Sequence, residues 1–162
     1  MKKFTLLFLL IILIGSQNPG YSQTYCTPTW ISIANYQMGF VLVQVGSINN
    51  ASGTPTTTPP YNDYTAQSTY ASPGATVNYT IQIGPTYGQW VCIFIDWNNN
   101  GDFFDPGETV AQMQTTAGGY TFTGSFVVPS SVTPGNKRMR LMTAYYGNGL
   151  YPTPCGPNYY AG

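Results

Sequence analysis

Six consecutive apolar residues, Trp90 to Ile95, run directly into Asp96-Trp97-Asn98-Asn99-Asn100-Gly101-Asp102-Phe103-Phe104-Asp105-Pro106-Gly107-Glu108. An apolar run this short, with β-branched and aromatic members, reads as a buried strand rather than a helix. The stretch behind it must therefore be a loop on a β-scaffold. Four of the five acidic residues of the chain lie in that loop: Asp96, Asp102, Asp105 and Glu108. Only 6% of the residues are charged, so this clustering is the main electrostatic feature of the protein.

The spacing suggests what holds such a loop. Oxygen side chains at alternate positions with glycine at the sixth, D-x-N-x-N-G, open a calcium-binding loop. Asp96, Asn98 and Asn100 converge if the backbone curls, and Gly101 permits the curl because it tolerates positive φ. Asp102, Asp105 and Glu108 complete the candidate ligand set. Four carboxylates this close, with no cation, disfavour one another's charged forms. The match to an EF-hand is partial, because Gly107 stands at the twelfth position and Glu108 follows it. The same residues also compose an Asx- and Gly-rich turn that closes through its own hydrogen bonds without an ion.

The chain opens with Lys2-Lys3, an apolar run from Phe4 to Ile14, and small and polar residues to Gln23. This is the pattern of a cleavable signal peptide over residues 1–22, too short to span a membrane. Export to the cell surface or beyond is the expected location, with no membrane span after cleavage. About 140 residues remain, enough for one core. Lys137, Arg138 and Arg140 are their only basic residues, so no nucleic-acid footprint exists. Export favours disulfides. Cys26 and Cys155 lie near the two mature ends, and their pairing would close nearly the whole domain. Cys92, inside the apolar strand, reads as a small buried hydrophobe. The alternative pairings stay open at this level.

From Trp30 onward the chain reads as strands and turns. Strands are expected at Trp30–Tyr36, Phe40–Ile48, Val77–Ile83, Trp90–Ile95, Thr109–Gln114, Tyr120–Val128 and Lys137–Tyr146, with a loop from Asn49 to Pro60. Pro73-Gly74, Gly84-Pro85, Gly118-Gly119 and Pro134-Gly135 are turn signals. No sustained helical periodicity follows the apolar leader. Seven or eight short strands at this spacing predict an all-β antiparallel sandwich, of jelly-roll or immunoglobulin-like type. Arg138 and Arg140, alternating with Met139 and Leu141, read as the solvated face of a strand or as partners for acids elsewhere.

Several segments occur in a telling order: Tyr25-Cys26-Thr27-Pro28, Gly46-Ser47-Ile48-Asn49-Asn50, Tyr61-Asn62-Asp63-Tyr64-Thr65, Ile95 to Phe103, Gly107-Glu108-Thr109, Pro134-Gly135 with Arg138-Met139-Arg140, and Pro154-Cys155-Gly156. In this order they resemble the GEVED domain of secreted Bacteroidota proteins, over residues 25–162. The resemblance implies a β-sandwich module of a larger exported protein, one that carries further adhesive or catalytic domains and a type IX secretion sorting domain. It makes Asp96, Asn98, Asn100 and Asp102 the acidic-loop positions of the family. Asp63 falls in its Asp-Tyr-Thr motif, either joining an ion site or capping a turn. The Glu-Val-Glu-Asp strand that names the family is expected beyond Tyr159-Tyr160-Ala161-Gly162, so the last strand of the sandwich is expected to be missing.

Function is read from what the side chains permit. With no histidine, neither a Ser-His-Asp nor a Cys-His arrangement exists, nor a His-ligated zinc site. The expected function is non-catalytic: a calcium-stabilised extracellular module acting in adhesion, binding or spacing. Its partners would be a glycan or protein ligand and further domains of the same polypeptide. Two alternatives remain. One is a carbohydrate-binding module using Tyr145-Tyr146, Tyr151 and Tyr159-Tyr160; the other is a glycoside hydrolase using two loop carboxylates.

Overall fold

The computed structural model describes residues 24–29, 37–54 and 61–156. The expected signal peptide, the Trp30–Tyr36 strand and the terminal Tyr159-Tyr160 pair lie outside the described residues. Seven strands occur among those described: β1 Phe40–Val45, β2 Ile48–Ala51, β3 Thr76–Ile83, β4 Gln89–Asp96, β5 Thr109–Gln114, β6 Thr121–Val127 and β7 Arg138–Tyr145. They form a four-stranded sheet in the order β2-β1-β3-β6 and a three-stranded sheet in the order β5-β4-β7. Every pairing is antiparallel. The predicted all-β sandwich is the fold observed.

Alternation places the core. Odd-numbered residues of β4, Val91, Ile93 and Ile95, face the four-stranded sheet and meet Val45, Val77, Ile81, Ile83, Phe122 and Phe126. Met139 and Leu141 of β7 join them from the neighbouring strand. Gln89 is fully buried on the same side. Its Oε1 accepts from the Gly39 N–H at 3.0 Å and the Thr143 hydroxyl at 2.7 Å, which satisfies it.

Two boundaries depart from the sequence reading. The expected strand Phe40–Ile48 is broken by a turn at Gly46-Ser47, and Ile48–Ala51 folds back as β2. Part of the expected 49–60 loop is therefore a strand. A continuous apolar reading hides such a turn because Val45 and Ile48 are apolar on both sides of it.

The even-numbered residues of β4 explain why its apolar run does not alternate. Cys92 and Phe94 point away from the sandwich and are also buried, against Met142, Phe103, Tyr25 and Tyr151. The three-stranded sheet thus has a second, smaller apolar layer on its outer face. Its cover comes from three distant places: the segment around Tyr25, the loop residue Phe103, and the segment around Tyr151. A disulfide between Cys26 and Cys155, 129 residues apart, ties the first to the last. Of the pairings left open by the sequence, this is the one formed, and Cys92 is a buried free thiol.

Candidate metal centre

The 97–108 loop joins β4 to β5 as a long hairpin connection, closed by the Ile95 N–H on the Glu108 carbonyl at 2.8 Å. Within it the side chains make a ladder of Asx turns. Asn98 Oδ1 accepts from the Asn100 N–H, Asn100 Oδ1 from the Asp102 N–H, and Asp102 Oδ1 from the Phe104 N–H, all at 2.9–3.0 Å. Each short polar side chain bonds the backbone two residues on, which is why Asn and Asp at alternate positions form this curl. Gly101 adopts φ 95°, the left-handed region anticipated for it.

Asp96 is the root of the loop. It is fully buried, and both its oxygens are engaged. Oδ1 accepts from the Asn99 N–H at 2.6 Å; Oδ2 accepts from the Gly101 N–H at 3.0 Å and the Tyr25 hydroxyl at 2.7 Å. Burial, then the bond to Asp96, pushes the Tyr25 phenol well above the ordinary tyrosine range. Asp96 therefore points inward and organises backbone rather than facing the other acids.

The acids that do come together are Asp102, Asp105 and Glu108, whose oxygens lie within 4.8 Å of one another. Glu108 is buried; its Oε1 accepts from the Trp97 N–H at 3.0 Å and its Oε2 from the Asp105 N–H at 3.3 Å. Burial raises its pKa, two backbone donors oppose the rise, and the negative Asp96 and Asp105 add to it. Asn98 and Asn100 both donate their side-chain amides to Asp105 Oδ2 at 2.7 Å. Of the six residues singled out in the sequence, three carboxylates converge, two asparagines brace one of them, and Asp96 sits apart beneath. Asp63 lies elsewhere and caps a turn, its Oδ1 accepting from the Thr65 N–H at 2.8 Å.

The loop is anchored by residues that the spacing of acids does not reveal. Phe103 is buried on the outer sheet layer while Phe104 beside it is 64% exposed. Tyr25 lies 5.1 Å from the Phe103 ring, centroid to centroid. Arg140 is 6% exposed, which overturns the expectation of a solvated face. Its guanidinium lies 4.8 Å above Phe103 and 5.7 Å from Tyr61. It donates to the Pro154 carbonyl at 2.6 Å and the Cys26 carbonyl at 2.8 Å. Burial lowers its pKa and Tyr61 opposes that, yet a guanidinium stays charged. Arg138 lies opposite Asp96 in register and 5.1 Å over the Tyr25 ring. The one sequence signal for these contacts is a lone phenylalanine pair inside a polar loop.

Among the described late tyrosines, Tyr145, Tyr146 and Tyr151 pack against other rings. Trp90 stacks on Tyr146 at 5.1 Å, meets Tyr151 edge-on at 4.5 Å, and donates its indole N–H to the Tyr146 carbonyl. Tyr145 meets Tyr87 edge-on at 5.6 Å.

Comparison with known families adds one match: the model of the GEVED domain covers residues 90–162, from the start of the β4 apolar run through the acidic loop and β7. No curated protein and no solved structure matches the chain.

Proposed function

We propose, from the premise that this chain belongs to the GEVED domain family over its matched segment, that it is a non-catalytic extracellular module whose acidic hairpin is stabilised by Ca²⁺. It would act in adhesion, binding or spacing within a larger secreted or cell-surface protein. One observation carries the reading: Asp102, Asp105 and Glu108 bring carboxylate oxygens within 4.8 Å of one another. Oxygens bound to one Ca²⁺ at about 2.3–2.6 Å lie no more than roughly 5 Å apart, so this donor set fits the ion. The chemistry of the donors fits as well, since Ca²⁺ is a hard cation that takes carboxylate oxygens. Both neighbouring charges that act on Glu108, from Asp96 and Asp105, are negative. A dication would relieve that repulsion.

In this reading the ion is structural. Asp102, Asp105 and Glu108 hold it, the Asx ladder presents them, and Asp96 and Phe103 fix the ladder to the outer sheet layer. Melting curves in chelator and in millimolar calcium test it. At ten times Kd the ion should add about 1.4 kcal/mol by mass action, or about 5 °C for a domain of this size. Identical curves in the two conditions would refute calcium binding. Loss of the shift in Asp105→Asn, with the chelator curve retained, would support these ligands.

A further inference from the structure

Among the described residues, the two sheets present four outer strands: β2 and β6 on one, β5 and β7 on the other. An outer strand with free N–H and C=O groups is a template for pairing with another chain, and proteins blunt such edges by shortness, charge or bulges. Three of the four are blunted here. Strand β2 has four residues. The β5 pairing carries a register break between Ile93 and Phe94. Arg138 and Arg140 charge β7, with Lys137 just before it.

Strand β6 has none of these devices. Its seven residues, Thr121-Phe122-Thr123-Gly124-Ser125-Phe126-Val127, include no charge and no proline. Its pairing with β3 is unbroken over all seven positions. Outward-facing Thr121, Thr123 and Ser125 are exposed, and Val127 is 60% exposed.

The sequence of β6 also reads nearly the same in both directions about Gly124. Antiparallel pairing with a second β6 in that register sets Phe122 opposite Phe126 and Thr123 opposite Ser125, each pair occurring twice. The inner-face pairs are then aromatic with aromatic and the outer-face pairs hydroxyl with hydroxyl, two favourable cross-strand combinations. Gly124 meets its own copy at the centre, where the Tyr79 ring covers the space that a Cβ would need.

We infer that β6 is a self-association edge: two copies of this chain pair β6 to β6, antiparallel about a two-fold axis at Gly124, joining their four-stranded sheets into one. The contact is isologous, so it closes at a dimer. Seven residues span about 24 Å of strand. A single strand pair of that length lies in the small-interface class below about 1,200 Å², so the dimer is weak and concentration-dependent.

Sedimentation equilibrium of the purified chain, from micromolar to millimolar, tests the inference in calcium and in chelator, since it does not rest on the ion. The weight-average mass should rise towards twofold in both buffers. T123K combined with S125K sets lysine against lysine in both outer pairs and should hold the chain at monomer mass. T123K combined with S125E sets lysine against glutamate in the same register and should restore association. Both positions of change are solvent-facing, and an unaltered melting temperature checks the fold. A wild-type mass that stays monomeric at millimolar concentration would overturn the inference. So would growth past twofold, or association of the T123K/S125K variant equal to wild type.

Discussion

The two faces of the β4–β7 pair solve the same packing problem in different ways. Towards the sandwich, Val91, Ile93, Ile95, Met139 and Leu141 meet a full sheet, and the contacts are apolar throughout. Away from it, among the described residues, Cys92, Phe94 and Met142 meet Phe103, Tyr25 and Tyr151 rather than a sheet. They are covered by loose chain, and that chain is held by devices the inner face lacks: a disulfide, a buried guanidinium and a carboxylate at the root of a loop. A sheet partner brings its own backbone hydrogen bonds. A cover made of loops must have its carbonyls satisfied one by one, and Arg140 does this for Pro154 and Cys26. The acidic hairpin belongs to the second face, so its geometry depends on the chain ends.

The difference can be tested by removing each device. The largest effect is expected from Cys155→Ser. Freeing a loop of 129 residues costs about 4–5 kcal/mol in the chain-entropy account. Denaturant melts should show that loss, with the outer layer opening first as read by Trp90 fluorescence. If Cys155→Ser costs less than Ile93→Ala, at about 2–5 kcal/mol, the outer cover is held by packing and not by the staple.

Next comes Phe103→Ala, which should cost about 3–5 kcal/mol as a buried aromatic truncation. It should also diminish any calcium response, because the ring carries the loop. A full response at reduced stability would mean that the loop folds independently of the outer layer. Arg140→Met keeps the stem but strands two carbonyls, and about 2–3 kcal/mol should be lost. Equal stability would show that water replaces the guanidinium and that the charge there is dispensable.

The smallest effect concerns pH. Burial and neighbouring acids raise the Glu108 pKa above its ordinary value. The folded chain then binds that proton more tightly than the unfolded chain. Its contribution is present below the unfolded value, near 4.5, and is lost as pH rises through the elevated folded value. In chelator, stability should therefore fall over that window, and the fall should vanish in Glu108→Gln. Calcium, which requires the charged form, should flatten it too. A wild-type profile in chelator that rises across the window would contradict the repulsion ascribed to the loop.

Strand identity was readable where one face is wet. Val77 to Ile83 alternates, and β3 appears there within a residue. The apolar run of β4 also announced burial, but not why both faces were apolar. That reason lies in Tyr25, Phe103 and Tyr151, loop residues far apart in the chain whose contact no local period encodes. Arg140 was misread for the same cause: alternation with Leu141 implies an outward face, and outward was wrongly equated with solvent. The crowding of acids into one loop is legible from their positions, but the expected convergence of Asp96, Asn98 and Asn100 is replaced by that of Asp102, Asp105 and Glu108. The inward turn of Asp96 was not legible, since it needs the Tyr25 hydroxyl from 71 residues away.

The Cys26–Cys155 bond has a mechanical consequence. Tension applied to flanking segments would enter at one sulfur and leave at the other, passing the sandwich by. The chain between them, a sequence separation of 129 and roughly 450 Å if drawn straight, would stay out of the load path even when unfolded. Under such tension the domain would behave as a rivet of fixed length, and would yield only when a reductant opens it.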